Sequence, residues 1–209
     1  MNRHHKIPLI AGILFLLANI ISVACAWLSG NHLFDLGISF SAYIGLNRWT
    51  SVLWFCFAVI IAVLMIVYIQ KIRIPVVKKV IYYIVLIGIS GTAFFPFNTF
   101  SEHPTSLTIN LHNYFGIGLM LVTTVSFVLS LIMSKTKKHK ISAICSLIFA
   151  VVFVVSYFLR IPFLFRFFYI WENAFIILLF LELYMEQFEE LSSVIMMKAT
   201  PKAKRRQTK

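Results

Sequence analysis

Long apolar stretches alternate with short polar runs along almost the whole chain. The apolar stretches cover residues 7–28, 49–69, 80–97, 112–133, 141–159 and 167–185. The hydrocarbon layer of a bilayer is about 30 Å thick, so a spanning helix needs about 20 residues at about 1.5 Å each. All six stretches are of that order. The runs between them hold the breakers, such as Pro75 and Pro104. Backbone in lipid must satisfy its own hydrogen bonds, which predicts helices. The two-residue alternation of a membrane barrel strand is absent. The pattern therefore predicts an all-α, polytopic membrane protein, a six-transmembrane-helix bundle forming one domain over residues 1–197.

The sixth stretch continues in another form. Leu181, Met185, Phe188, Leu191 and Ile195 recur at helical spacing, while Glu182, Glu186, Glu189 and Glu190 fall on another face. That pattern predicts an amphipathic extension of the last helix beyond the membrane. Its acidic stripe is expected to balance the lysines of the neighbouring loops. Residues 198–209 are polar and basic and are expected to form a disordered tail.

Composition supports the membrane reading. The chain is 60% hydrophobic and 12% charged, whereas soluble domains are about 25% charged. Net charge is +12, but the basic residues sit in short runs between spans and carry no base-stacking motif, so no nucleic acid partner is expected. Sixteen of the 19 Lys and Arg residues fall on one side of the bundle. Only Arg48, Arg160 and Arg166 fall on the other. The positive-inside rule then places both termini in the cytoplasm of a cell with a plasma-membrane location. Anionic lipid headgroups are the expected partners of the basic loops and tail, at about 1 kcal/mol per basic residue near the surface. Trp27, Trp49, Trp54 and Trp171 map near the outer helix ends and are expected to form an interfacial belt. Ala24-Cys25-Ala26 resembles a signal cleavage site, but the apolar run before it is longer than a signal core of about 7–15 residues, so the segment is read as a span. Cys25, Cys56 and Cys145 lie in apolar stretches with no C-x-x-C pair and are expected to act as buried small hydrophobes.

The unusual polar residues gather at the outer ends. The candidate cluster is His112, Glu172, Arg160, Asp35, Ser39, Ser41 and His103. Glu172 lies roughly 7 Å inside the start of its span by helical rise. A charge at that depth calls for a partner, and Arg160 or Arg166 is the expected one. The histidines have no H-E-x-x-H or related spacing, so no metal and no cofactor is expected. Neither a G-x-S-x-G elbow nor a Walker loop is present. Gly88, Ser90, Gly91 and Ala93 on the third span are expected to allow close helix packing.

One combination of residues carries a resemblance. Residues 38–45 place Ser39 and Ser41 ahead of the second span, Phe95-Pro96 ends the third, and His112 opens the fourth. This resembles the bacterial six-helix membrane proteins of domain-of-unknown-function family 998, with Ala93 standing where that family's turn glycine is expected. The resemblance covers most of the chain and implies a compact six-helix bundle with Ser39, Ser41, Pro96 and His112 as matching positions. It implies no reaction.

The leading functional expectation is a non-enzymatic membrane protein that binds a lipid or partner at its outer face. A lipid-directed hydrolase would need His112 and Glu172 to converge with His32, Asp35 or His103. A small-molecule transporter would need polar residues at mid-membrane and internal repeats. The spans read as nearly all apolar in their middles, which argues against it.

Overall fold

The computed structural model describes residues 6–28, 39–45, 48–95 and 106–206, with side chains to residue 188. Eight helices follow in order: α1 Ile7–Leu28, α2 Phe40–Gly45, α3 Arg48–Lys71, α4 Val76–Phe94, α5 Ser106–Met133, α6 Lys137–Leu159, α7 Pro162–Phe165 and α8 Phe168–Arg206. No strand occurs among the described residues. Six of the helices are long and apolar enough to cross a membrane. The protein is thus an all-α, multi-pass integral membrane protein.

Each long helix packs on the next, and α8 returns to α1, so the spans close into a ring. Only 28% to 44% of each apolar window is buried inside the protein. The outward side chains are large hydrophobics such as Ile20, Val63, Ile87, Leu121 and Ile148. A water-soluble bundle would carry polar residues there; a lipid-facing one does not. The inward face holds Phe15, Ile61, Met65, Phe127, Phe175 and Leu179, all nearly inaccessible.

Caps, not hydropathy, set where the helices begin. Pro75 is extended, and α4 starts right after it at Val76, four residues before the apolar stretch. Thr136 accepts the His139 N–H and starts α6 at Lys137 rather than at 141. A threonine N-cap satisfies one of the orphan donors of the first turn. The fifth helix starts at Ser106, so His112 lies inside α5 rather than opening it. The last helix also runs further than expected. It extends to Arg206 and takes in residues 198–206. Apart from Thr200 and Pro201 these residues are Lys, Ala and Arg, good helix formers, and extending an existing helix avoids the cost of nucleation.

Close packing falls where the small residues predict it, with one exception. A Cβ on Gly91 would lie 2.2 Å from the Phe115 ring, and one on Gly88 would lie 2.9 Å from the Leu119 Cβ. Ala93 is buried, but Ser90 faces outward. The tryptophans divide. Trp27 and Trp49 are exposed, as a belt requires. Trp54 is buried against Phe15 and Phe40 at 5.9 and 5.1 Å between ring centres. Trp171 is half-buried and donates to the Leu164 carbonyl at 3.0 Å.

Candidate functional site: an intramembrane cavity

The two ends of the bundle differ. The basic end carries the start of α1, the α3–α4 and α5–α6 connections, and the α8 extension. At the opposite end lies a cavity of about 480 Å³. Its floor is apolar and aromatic, made by Phe15, Trp54, Ile61, Met120, Phe175 and Phe180. Its rim carries Ser39, Ser41, His112, Asn113, Arg160 and Glu172. Along α8 the lining runs from Phe168 to Phe180, roughly 18 Å of helix by rise per residue. That is about half of the hydrocarbon thickness of a bilayer.

The segment before the second span, half apolar in sequence, folds into the bundle as α2. Phe40, Tyr43 and Ile44 are 4%, 3% and 3% exposed. Phe40 wedges between α1 and α3, edge-on to Phe15 at 5.4 Å and to Trp54 at 5.1 Å. Edge-to-face rings are favourable beyond the area they bury. Polar bonds hold both ends of α2. Ser39 is its N-cap, accepting the Ala42 N–H at 3.2 Å, with the Ser41 hydroxyl at 3.0 Å. The Ile44 carbonyl accepts the Thr50 and Ser51 hydroxyls at 2.6 and 3.1 Å.

Glu172 completes this anchorage. Its Oε2 accepts the Phe40 N–H at 2.6 Å. The expected pairing with Arg160 or Arg166 does not form, since no ion pair joins these residues among the described ones. The reason is geometric: α2 brings a first-turn N–H directly to the carboxylate, and such orphan donors attract negative charge.

His112 does the complementary thing for α4. Its Nδ1 donates to the Phe95 carbonyl at 2.7 Å and the Thr92 carbonyl at 3.2 Å. These are carbonyls at the last turn of α4, which the helix itself leaves unsatisfied. With the proton on Nδ1, a neutral ring keeps its acceptor lone pair on Nε2.

Arg160 ends α6 in the left-handed region, at φ 46° and ψ 39°. It is the one non-glycine residue with positive φ among the described residues. An L-residue there costs about 1–2 kcal/mol. The strained turn leaves an exposed guanidinium on the rim.

Five of the seven candidate residues therefore share one cavity: Ser39, Ser41, Arg160, His112 and Glu172. Asp35 and His103 lie outside the described residues, as do His32 and Pro96. The third member that a hydrolase would need is among them.

A second polar cluster escaped the sequence reading. Lys78 of α4 pairs with Glu186 of α8, and His139 of α6 pairs with Glu182. Glu186 Oε1 also accepts the Ser130 hydroxyl at 3.2 Å and the Tyr82 hydroxyl at 3.3 Å. The glutamates were expected on a surface stripe balancing loop lysines. The balance is real, but it lies inside: Glu182 is 0% and Glu186 4% exposed. The signal was available in Glu182, which falls within an apolar span where a charge must face the interior. Small hydroxyl residues are also buried in the spans, Thr123 and Ser126 of α5 and Ser146 of α6 nearer the middle, and Ser130 and Ser156 nearer helix ends. In membranes such small hydroxyl residues sit where helices approach closely.

Compared with known proteins, the chain matches no family model, no curated protein and no solved structure.

Proposed function

We propose that this membrane protein binds an amphiphile, a lipid or lipid-like molecule, in the cavity at the end away from the lysines. The observation that carries the reading is the division of the cavity lining. A deep aromatic floor suits an apolar chain, and a rim with Arg160, Asn113 and Ser41 suits a polar head. The depth along α8 matches one leaflet. Pockets of about 300–1,000 Å³, mostly apolar with a few placed polar groups, are the usual form of small-molecule sites. Ser39, Ser41 and His112 meet at the same cavity.

The test fills the cavity. Gly116 lines it, and a Cβ there would meet only the Thr92 methyl at 4.0 Å. Gly116→Leu should therefore fold normally while displacing the bound molecule. Native mass spectrometry of the purified protein should show a retained amphiphile that the variant loses. Equal retention in both would remove the cavity as its site.

We infer further that the protein lies in the plasma membrane with both termini cytoplasmic. The support is the crowding of lysine and arginine at one end of the bundle. A C-terminal tag that antibody reaches only after permeabilisation agrees with this; one reached on intact cells reverses it.

A further inference from the structure

We propose that the buried cluster at the basic end binds one divalent transition-metal ion through His139, Glu182 and Glu186. These residues offer ligand atoms that lie within 4.8 Å of one another. Glu182 and Glu186 stand one turn apart on the same face of α8. His139 faces them from α6 and presents Nε2 to Glu182. Two ligands about 2.1 Å from a shared ion are at most about 4.2 Å apart. His139 Nε2 and Glu182 Oε1 touch directly, so the ion would take the place of that contact and draw the three ligand atoms around itself.

The partners of the carboxylate oxygens are unevenly distributed. Lys78, Ser130 and Tyr82 all converge on Oε1 of Glu186. Three donors saturate that oxygen and fix the carboxylate, as outer-sphere partners of a ligand do. Lys78, committed to Glu186, does not neutralise Glu182. Glu182 Oε1 meets His139, while its Oε2 is buried with no hydrogen-bond partner among the described residues. An ionised carboxylate oxygen buried that way is costly unless a cation meets it. The site lies near one end of the bundle, though its residues are buried. Lys78 and His139 both sit in the first turns of their helices, at the end of the bundle.

The donor set selects the ion. One imidazole nitrogen with carboxylate oxygens and no thiolate suits Zn²⁺ or Mn²⁺, not Cu(I). Calcium would need about 6–8 oxygens. Coordination through Nε2 requires the neutral ring, so binding releases any proton held between His139 and Glu182. That proton is the competing occupant.

The full-length protein, purified in detergent without chelator, should contain about one ion per chain by elemental mass spectrometry. Stripping with EDTA should lower its unfolding midpoint, and adding Zn²⁺ or Mn²⁺ should restore it along a saturating curve. Glu182→Gln and His139→Gln should lose the ion, whereas Ser146→Ala should keep it. Wild-type protein that carries no stoichiometric ion, and whose midpoint neither ion moves, overturns the site and leaves the proton as occupant. That wild-type measurement decides the matter even if the two cluster variants fail to fold.

Discussion

Glu172 of α8 accepts the backbone N–H of Phe40 in α2 at 2.6 Å, across 132 residues of chain. The bond pins a helix of 6 residues, too short to persist alone, over the mouth of the cavity. Glu172→Ala should cost about 1.5–3 kcal/mol, the usual worth of a hydrogen bond to a charged group. Glu172→Gln keeps an acceptor and should cost less. Thermal unfolding in detergent, with proteolysis of residues 39–45 as a local probe, would rank the two. Equal losses would show that charge, not the bond to Phe40, is what Glu172 contributes.

Arg160 offers a prediction with opposite signs. Glycine suits a backbone at φ 46°, so Arg160→Gly should raise stability by about 1 kcal/mol. The same change removes the guanidinium from the cavity rim and should weaken binding of an anionic single-chain amphiphile several-fold. The pair of measurements is a midpoint of unfolding and a fluorescent fatty-acid titration. A fall in both would make Arg160 a structural residue.

Glycine on the α4–α5 contact can be tested against glycine elsewhere on α5. Gly91→Ala drives a methyl group into the Phe115 ring and should cost about 1–3 kcal/mol, as overpacking does. Gly118→Ala meets nothing within 4 Å and should be neutral or slightly stabilising, since alanine favours helix by about 1 kcal/mol. Paired unfolding curves would separate them, and similar midpoints for the two would refute the close approach of α4 and α5.

Much of this molecule was legible because lipid permits so few solutions. A run of about 20 apolar residues reads directly as a span, and all six stretches became helices. Helix starts were less legible, since Thr136 and Pro75 set them through local geometry rather than through hydropathy. The candidate site was half legible. Glu172, His112 and Arg160 stood out as polar residues near apolar spans, and all three line the cavity. Their partners did not stand out, because a backbone N–H such as that of Phe40 leaves no mark in a sequence. The Lys78–Glu186 and His139–Glu182 pairs were hidden for a related reason. A lysine three residues into a helix reads as a loop charge until the fold shows where its side chain ends.

The ties at the basic end have a mechanical consequence. Lys78–Glu186, His139–Glu182 and the Tyr68 hydroxyl on the Leu183 carbonyl at 2.5 Å join α3, α4 and α6 to α8 by directional bonds. At the cavity end the directional bonds are shared out differently: Glu172 ties α8 to α2, and His112 ties α5 to α4. At the basic end, by contrast, α8 is a common strut: a shift of its extension would be felt by three other spans at once.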